Sequence, residues 1–331
     1  MNIIYLALNK EQYAKEAIVS IKSLFHTQKD ITPYQIFIYT NLKSSFTTFL
    51  NQESSANIHL REISDAKVKE WSGEDQYVYR AKISTLIDFI ETDQESAILV
   101  DTDTFYTSDI SPLFSKLKNK VFIMDYRENH IDEVVQSRKG DNKNRYAHRF
   151  FHDIYKAKKL SIGKEEYPIL SDMTLWNSGV VGITHQDIDI LYKALAISDY
   201  VYHHYRLQTA EQFAFTCAFQ YYGQIENGDD AIFHYWFLKE ARYLIESAYG
   251  ILSEVEKKHL GTPIVEEIFR MKDINFNNLP ARIVELTRKK WNLKFSSLLS
   301  VFLAPSNTGT LLKKQLYSWD EASSLPQLNK K

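Results

Sequence analysis

The chain has 331 residues, with 40 Lys and Arg against 42 Asp and Glu and a formal net charge of -2. That near-balance argues against a nucleic-acid binder working through bulk charge, and 44% hydrophobic with 25% charged residues suits a folded core rather than disorder. A single cysteine, Cys217, excludes an internal disulfide framework and a Cys-rich zinc site.

The length fits one large α/β domain with an extension, or two small domains. The N-terminus lacks a basic n-region and soon meets Lys10 and Glu11, unlike a signal peptide. No apolar run approaches the about 20 residues that a membrane helix needs. These features point to a reducing, cytoplasmic setting. Glycine is scarce, 10 in all, and neither G-x-G-x-x-G nor G-x-x-x-x-G-K-[ST] occurs. A phosphate ligand would have to be held by a metal and basic side chains.

In chain order, residues 2–8 read as a strand ending at a turn. Asn9 precedes Gln12 by three, an N-cap pattern close to a capping box. Ala14, Ala17, Ile18, Ile21, Leu24 and Phe25 follow at helical spacing. Residues 35–39 are a second strand. Ile83, Leu86, Ile87 and Ile90 predict an amphipathic helix near 79–92. Residues 97–100 and 121–124 are unbroken apolar runs, as expected of strands buried on both faces. The alternation predicts a mostly parallel sheet with helices on both sides.

Residues 126–170 are polar and basic with weak periodicity, and read as helices and loops between strands. Trp176-Asn177-Ser178-Gly179 leads into an apolar strand, 180–183, and a helix near 187–197. Thr209-x-x-Gln212 looks like a capping box opening another helix. Beyond about 240 the pattern is helical and linker-like. There, Trp291, Phe295, Leu298, Leu299 and Phe302 form a stripe beside Arg288, Lys289, Lys290 and Lys294. Residues 288–304 suit peripheral contact with an anionic membrane surface, or packing on the domain.

The most informative stretch is 97–106, where Asp101 and Asp103 follow a buried strand. In open α/β sheets ligands bind at that edge. Residues i and i+2 of a strand point the same way, and two like charges so placed call for a cation between them. Oxygen ligands without cysteine favour Mn²⁺ or Mg²⁺.

This Asp-x-Asp resembles the metal motif of GT-A fold glycosyltransferases. Asn177-Ser178-Gly179-Val180 resembles the Asn-Ser/Ala-Gly-Val segment of glycosyltransferase family 8, and Tyr13 with Ser20-Ile-Lys-Ser23-Leu24 resembles that family's opening. Glu211-Gln212 and then His234 with Lys239 complete the order of motifs. The family's Gly and Pro-Trp around the last pair are missing.

The resemblance implies an α/β, GT-A type fold. A mostly parallel central sheet flanked by helices would occupy 1–245, and a mainly helical C-terminal extension 246–331. It implies Asp101, Asp103 and His234 as metal ligands, and a nucleotide-sugar donor, a UDP-sugar in that family's manner. Leu8, Asn9, Tyr13, Arg80, Lys82, Thr102, Ser178, Gly179 and Lys239 would contact the donor. Asn177, Glu211 and Gln212 would lie at the reacting sugar, although Gln212 is equally explained as part of a cap. Tyr126 and Trp176 are further aromatic candidates near the site. The acceptor would be a glycan or a lipid-linked sugar. Retention is the family's outcome; were the reaction inverting, Glu211 is the one base in sight.

Three alternatives stand beside this. A haloacid-dehalogenase-like phosphohydrolase shares Asp-x-Asp after a strand, with Asp229 and Asp230 as its distal pair, but Phe105 stands where its motif wants Thr or Val. A nucleotidyltransferase would need a glycine-rich N-terminal loop. A non-catalytic nucleotide-sugar-binding module would not need both aspartates. The run Tyr200-Val-Tyr-His-His-Tyr205 reads as structural, because adjacent histidines do not converge.

Overall fold

In the computed structural model, residues 1–52, 57–137 and 145–236 are described. Lys239, the extension 246–331 and the stripe 288–304 lie outside them.

A seven-stranded sheet forms the centre. Strands β1 (Asn2–Ala7), β2 (Gln35–Thr40), β3 (Ile58–Glu62), β4 (Ala97–Val100), β6 (Val121–Met124), β11 (Val180–Ile183) and β12 (Gln224–Asn227) build it. Their order is β12-β6-β11-β4-β1-β2-β3. All neighbours pair in parallel except β11, which runs antiparallel to both β4 and β6. The sheet is therefore mixed α/β and largely parallel. Two elements leave it: β5 (Thr104–Tyr106) pairs antiparallel with β13 (Ile232–His234), and β7 (Arg127–His130) pairs with β10 (Thr174–Trp176). A hairpin of β8 (Lys159–Ile162) and β9 (Glu165–Pro168) is separate.

The apolar runs become the central strands because each is covered on both faces. Every residue of β4, β6 and β11 is buried. The described α-helices are, in chain order, α1 (Glu11–Thr27), α2 (Lys43–Gln52), α3 (Asp65–Trp71), α4 (Arg80–Asp93), α5 (Ser111–Lys116), α6 (Ile131–Ser137), α7 (Arg145–Ala157), α8 (Ile188–Tyr205) and α9 (Ala210–Tyr222). One face of the sheet meets α1, through Ala14, Ala17, Ile21 and Leu24. The other meets α4 (Arg80–Asp93), α8 (Ile188–Tyr205) and α9 (Ala210–Tyr222), through Ile83, Leu86, Leu191, Ile197 and Phe213. Each of these Ile, Leu and Phe side chains contributes about 1.5–3 kcal/mol on burial.

Four features differ from the sequence reading. Helix α1 starts at Glu11 after an extended Lys10 with no side-chain cap. Asn9 instead takes a left-handed φ of 66° at the end of β1, so it does not cap. Thr209 makes no side-chain cap bond to α9, and Gln212 turns away to Glu128, so the capping box is absent. Helix α8 runs on to Tyr205 because Ser198 and Val201 continue its buried face.

Candidate metal and donor site

Three chain segments meet at the same edge of the sheet. Strand β4 delivers Asp101, β6 delivers Asp125, and antiparallel β11 begins there, preceded by Asn177-Ser178-Gly179. Asp101 N–H donates to Gly179 O at 2.8 Å, stitching the β4 end to the β11 start. Strand β13 then brings His234 across, since His234 sits opposite Thr104 in the ladder with β5. Tyr235 N–H donates to Asp103 O at 3.0 Å and closes the arrangement.

The result is one compact group. Ligand atoms of Asp101, Asp103 and His234 all lie within 4.8 Å of one another. His234 Nε2 is 3.3 Å from Asp103 Oδ1 and 3.8 Å from Asp101 Oδ2. Its Nδ1 donates to Asp125 Oδ2 at 2.8 Å and is 3.1 Å from Asn177 Oδ1. Both partners of Nδ1 are acceptors, so Nδ1 carries a hydrogen; Nε2 faces the carboxylates of Asp101 and Asp103, and on losing its proton would turn a lone pair toward a cation held between them. A carboxylate behind a ligating imidazole is the usual support of a metal site. Two carboxylates and one imidazole fit Mn²⁺, and with more water Mg²⁺.

Gly179 makes this possible. A Cβ placed on it would lie 2.1 Å from His234 Nδ1. The imidazole occupies the space a side chain would fill.

Without a cation the charges answer one another. Burial works against the charged form of His234, but hydrogen bonds to Asp103 and Asp125 outweigh it and push the imidazole up to about 10. Lys82 Nζ donates to Asp101 Oδ2 at 2.7 Å and is 4.0 Å from Glu211 Oε1. Burial disfavours its charge; Asp101 and Glu211 more than restore it, so the ammonium is held above its ordinary range. Burial raises the Glu211 carboxyl, against the pull of Lys82 and Tyr77. Tyr77 OH donates to Glu211 Oε2, and Ser178 Oγ donates to Glu211 Oε1 at 3.3 Å.

The expected residues are thus partly gathered. Asp101, Asp103, His234, Lys82, Asn177, Ser178, Gly179 and Glu211 form one continuous network. Gln212 joins through Glu128, which accepts from Gln212 Nε2 at 3.0 Å and from Asn177 Nδ2 at 3.1 Å. Thr102, buried between the aspartates, donates to Glu16 Oε2 at 3.2 Å. Tyr126 is half-buried, and its OH lies 3.5 Å from Asn177 Nδ2. Trp176 is buried, with the Arg127 guanidinium 5.2 Å from its ring centroid. At the end of β1, Leu8 is buried in the core, Asn9 is exposed and bonded to Asn41, and Tyr13 is half-buried beside Lys10.

Arg80 is not brought to the group. Its guanidinium pairs with Asp199 at 2.6 Å and donates to Trp71 O at 3.0 Å. Asp229 and Asp230 are exposed and turn to Asn227 and Lys116 rather than to the Asp pair. His203 and His204, both on α8, face Asp75 and the Tyr200 carbonyl respectively, so this run gathers no group of three ligands among the described residues. Among the described residues, Asp101, Asp103 and His234 are the one such group of three.

Four residues of the network were not anticipated: Glu16, Tyr77, Asp125 and Glu128. Asp125 carried a signal, because an apolar strand followed by aspartate occurs at 121–125 just as at 97–101. The other three become neighbours only through tertiary contacts.

No protein-family model matches the chain, and no curated protein matches it in sequence. Solved structures similar to it include the WbbM bifunctional glycosyltransferase in its apo form, at 13% identity and a TM-score of 0.43. That likeness covers 69% of this chain and 38% of WbbM, so the chain spans well under half of that protein. Galactosyltransferase LgtC, solved with donor and acceptor sugar analogues, has 12% identity and a TM-score of 0.44, covering 69% of this chain and 73% of LgtC. Apo mouse xyloside xylosyltransferase 1 has 16% identity and a TM-score of 0.45, covering 71% and 97%. At these scores the likenesses assign this chain no activity of its own.

Proposed function

We propose that this chain is a metal-dependent glycosyltransferase of GT-A type, moving a hexose from a UDP-sugar to a glycan or lipid-linked acceptor. The observation that carries the reading is the convergence of Asp101, Asp103 and His234 at the carboxyl edge of the sheet. Those three side chains would hold Mn²⁺ or Mg²⁺. When bound, the ion supplies positive charge to the diphosphate of the donor.

The rest of the chemistry belongs to the protein. The bond from the anomeric carbon to the diphosphate oxygen breaks, and its electron pair stays on the diphosphate. Lys82, already charged and beside Asp101, faces that developing charge. Asp125 holds the His234 ring in one tautomer. Glu211 is 4% exposed and engaged by Tyr77, Ser178 and Lys82. A carboxylate so enclosed is poorly placed to take a proton from an incoming acceptor. That favours retention, with the acceptor oxygen forming the new bond to the anomeric carbon and its proton passing to the departing phosphate oxygen. No observation favours the phosphohydrolase, since Asp229 and Asp230 do not reach the Asp pair.

The test is a panel of nucleotide-sugars with and without Mn²⁺, scored by nucleotide released. Release confined to one donor, dependent on Mn²⁺ and lost in Asp103→Ala, is expected. Release that survives chelation or that substitution contradicts the reading.

A further inference from the structure

Lys82 stands between two carboxylates. It lies in the first turn of α4, where a helix N-terminus disfavours positive charge, and that turn has no acidic residue. What holds the ammonium there comes from other segments. Nζ donates to Asp101 Oδ2 at 2.7 Å, is 3.4 Å from both Ser178 O and Ser178 Oγ, and is 4.0 Å from Glu211 Oε1. Side-chain exposure is 12% for Lys82, 19% for Asp101 and 6% for Glu211, so solvent screens these charges little.

One oxygen serves two sides. Asp101 Oδ2, gripped by Lys82, is also the oxygen 3.8 Å from His234 Nε2, within the group of three ligands. An ammonium on that oxygen takes one of its lone pairs and repels a second cation placed against it. Glu211, in the first turn of α9, offers the ammonium another seat. Ser178 Oγ touches both groups, 3.4 Å from Nζ and donating to Glu211 Oε1 at 3.3 Å. Tyr77 OH donates to the other oxygen, Oε2, so the Glu211 carboxylate is fixed in place. A small swing of the flexible lysine stem therefore exchanges Asp101 for Glu211.

We infer that Lys82 is a resident counter-cation that competes with a divalent ion for Asp101, and that Glu211 is the positioning residue that receives it. This rests on the glycosyltransferase reading, and it gives Glu211 a task other than proton transfer. Coupling between the two ligands follows. A divalent ion arriving alone has to displace Lys82 from Asp101. A diphosphate draws the ammonium off Asp101, so each ligand tightens the other, and by the same factor.

Full-length wild type, Lys82→Met, Glu211→Gln and the double variant are titrated with Mn²⁺, alone and with saturating UDP, and binding is read by calorimetry. Lys82→Met is expected to bind Mn²⁺ alone about tenfold more tightly than wild type, because no resident charge has to be displaced. Damage to the fold would produce a loss rather than that gain. The factor by which UDP tightens Mn²⁺ is expected to be about tenfold smaller in Lys82→Met than in wild type. Glu211→Gln is expected to weaken Mn²⁺ alone about tenfold while Lys82 is present, and to have no further effect in the Lys82→Met background. An equal loss in both backgrounds overturns the role given to Glu211, since it would then act without Lys82. Lys82→Met that binds Mn²⁺ no more tightly than wild type overturns the competition, and leaves the metal site standing if wild type still binds Mn²⁺ and UDP. Wild type that binds no Mn²⁺, or binds Mn²⁺ but no UDP, overturns the glycosyltransferase reading beneath it.

Discussion

Two corners of this molecule contain histidine beside aspartate, and they could hardly differ more. At the end of α8, His203 sits 2.9 Å from Asp75, and His204 folds back on Tyr200. That corner's two histidines are exposed and lie along one helix, and Asp75 from another segment reaches only His203 among them. At the sheet edge, a single histidine from β13 meets aspartates from β4 and β6 inside a nearly closed shell. The run in the first corner is richer in histidine. The second gathers side chains from distant segments onto one point, and only there do three ligand atoms converge. Convergence enforced by tertiary pairing makes a site; local composition does not.

That contrast can be broken by substitution. Asp103→Ala has the largest expected effect: turnover and Mn²⁺ binding both disappear, measured by nucleotide release and calorimetry, with the far-UV spectrum unchanged. Gly179→Ala comes next. Its methyl group would overlap the His234 ring, so the imidazole must move and Mn²⁺ affinity should fall on the order of 100-fold. A stability loss of about 1–3 kcal/mol in urea unfolding is expected as well, as for other overpacked sites. Retained Mn²⁺ affinity in Gly179→Ala would show that the ring position does not matter.

Asp125→Asn is milder. It keeps the volume but weakens the acceptor behind Nδ1, and Mn²⁺ affinity should drop about 10-fold to 100-fold. The smallest effect belongs to the other corner. His203→Ala should leave Mn²⁺ affinity and melting temperature unchanged within error, as exposed pairs generally do. A clear loss of metal affinity there would erase the distinction between the corners.

Much of the frame was legible before folding was considered. The runs 97–100, 121–124 and 180–183 became strands at those bounds, because an apolar run covered on both faces has one simple solution. Asp101 and Asp103 were legible because a pair of charges after such a run stands out. Caps were read poorly. Asn9 and Thr209 have the right residue types, yet their backbones and neighbours chose otherwise. Arg80 shows the limit of proximity in sequence. It begins the helix that carries Lys82, but two residues along a helix face different directions, so Lys82 reaches Asp101 and Arg80 reaches Asp199. Tyr77, Glu16 and Glu128 could not be read at all, since nothing in their local sequence records the partner that another segment supplies.

The most direct test is a crystal soaked with Mn²⁺ and UDP, with anomalous scattering collected at the manganese edge. The expected peak lies among Asp101, Asp103 and His234 Nε2, touching the diphosphate, with Lys82 moved from Asp101 toward the phosphates or Glu211. A peak elsewhere, or a diphosphate bound with those three side chains turned away from it, contradicts the cation site.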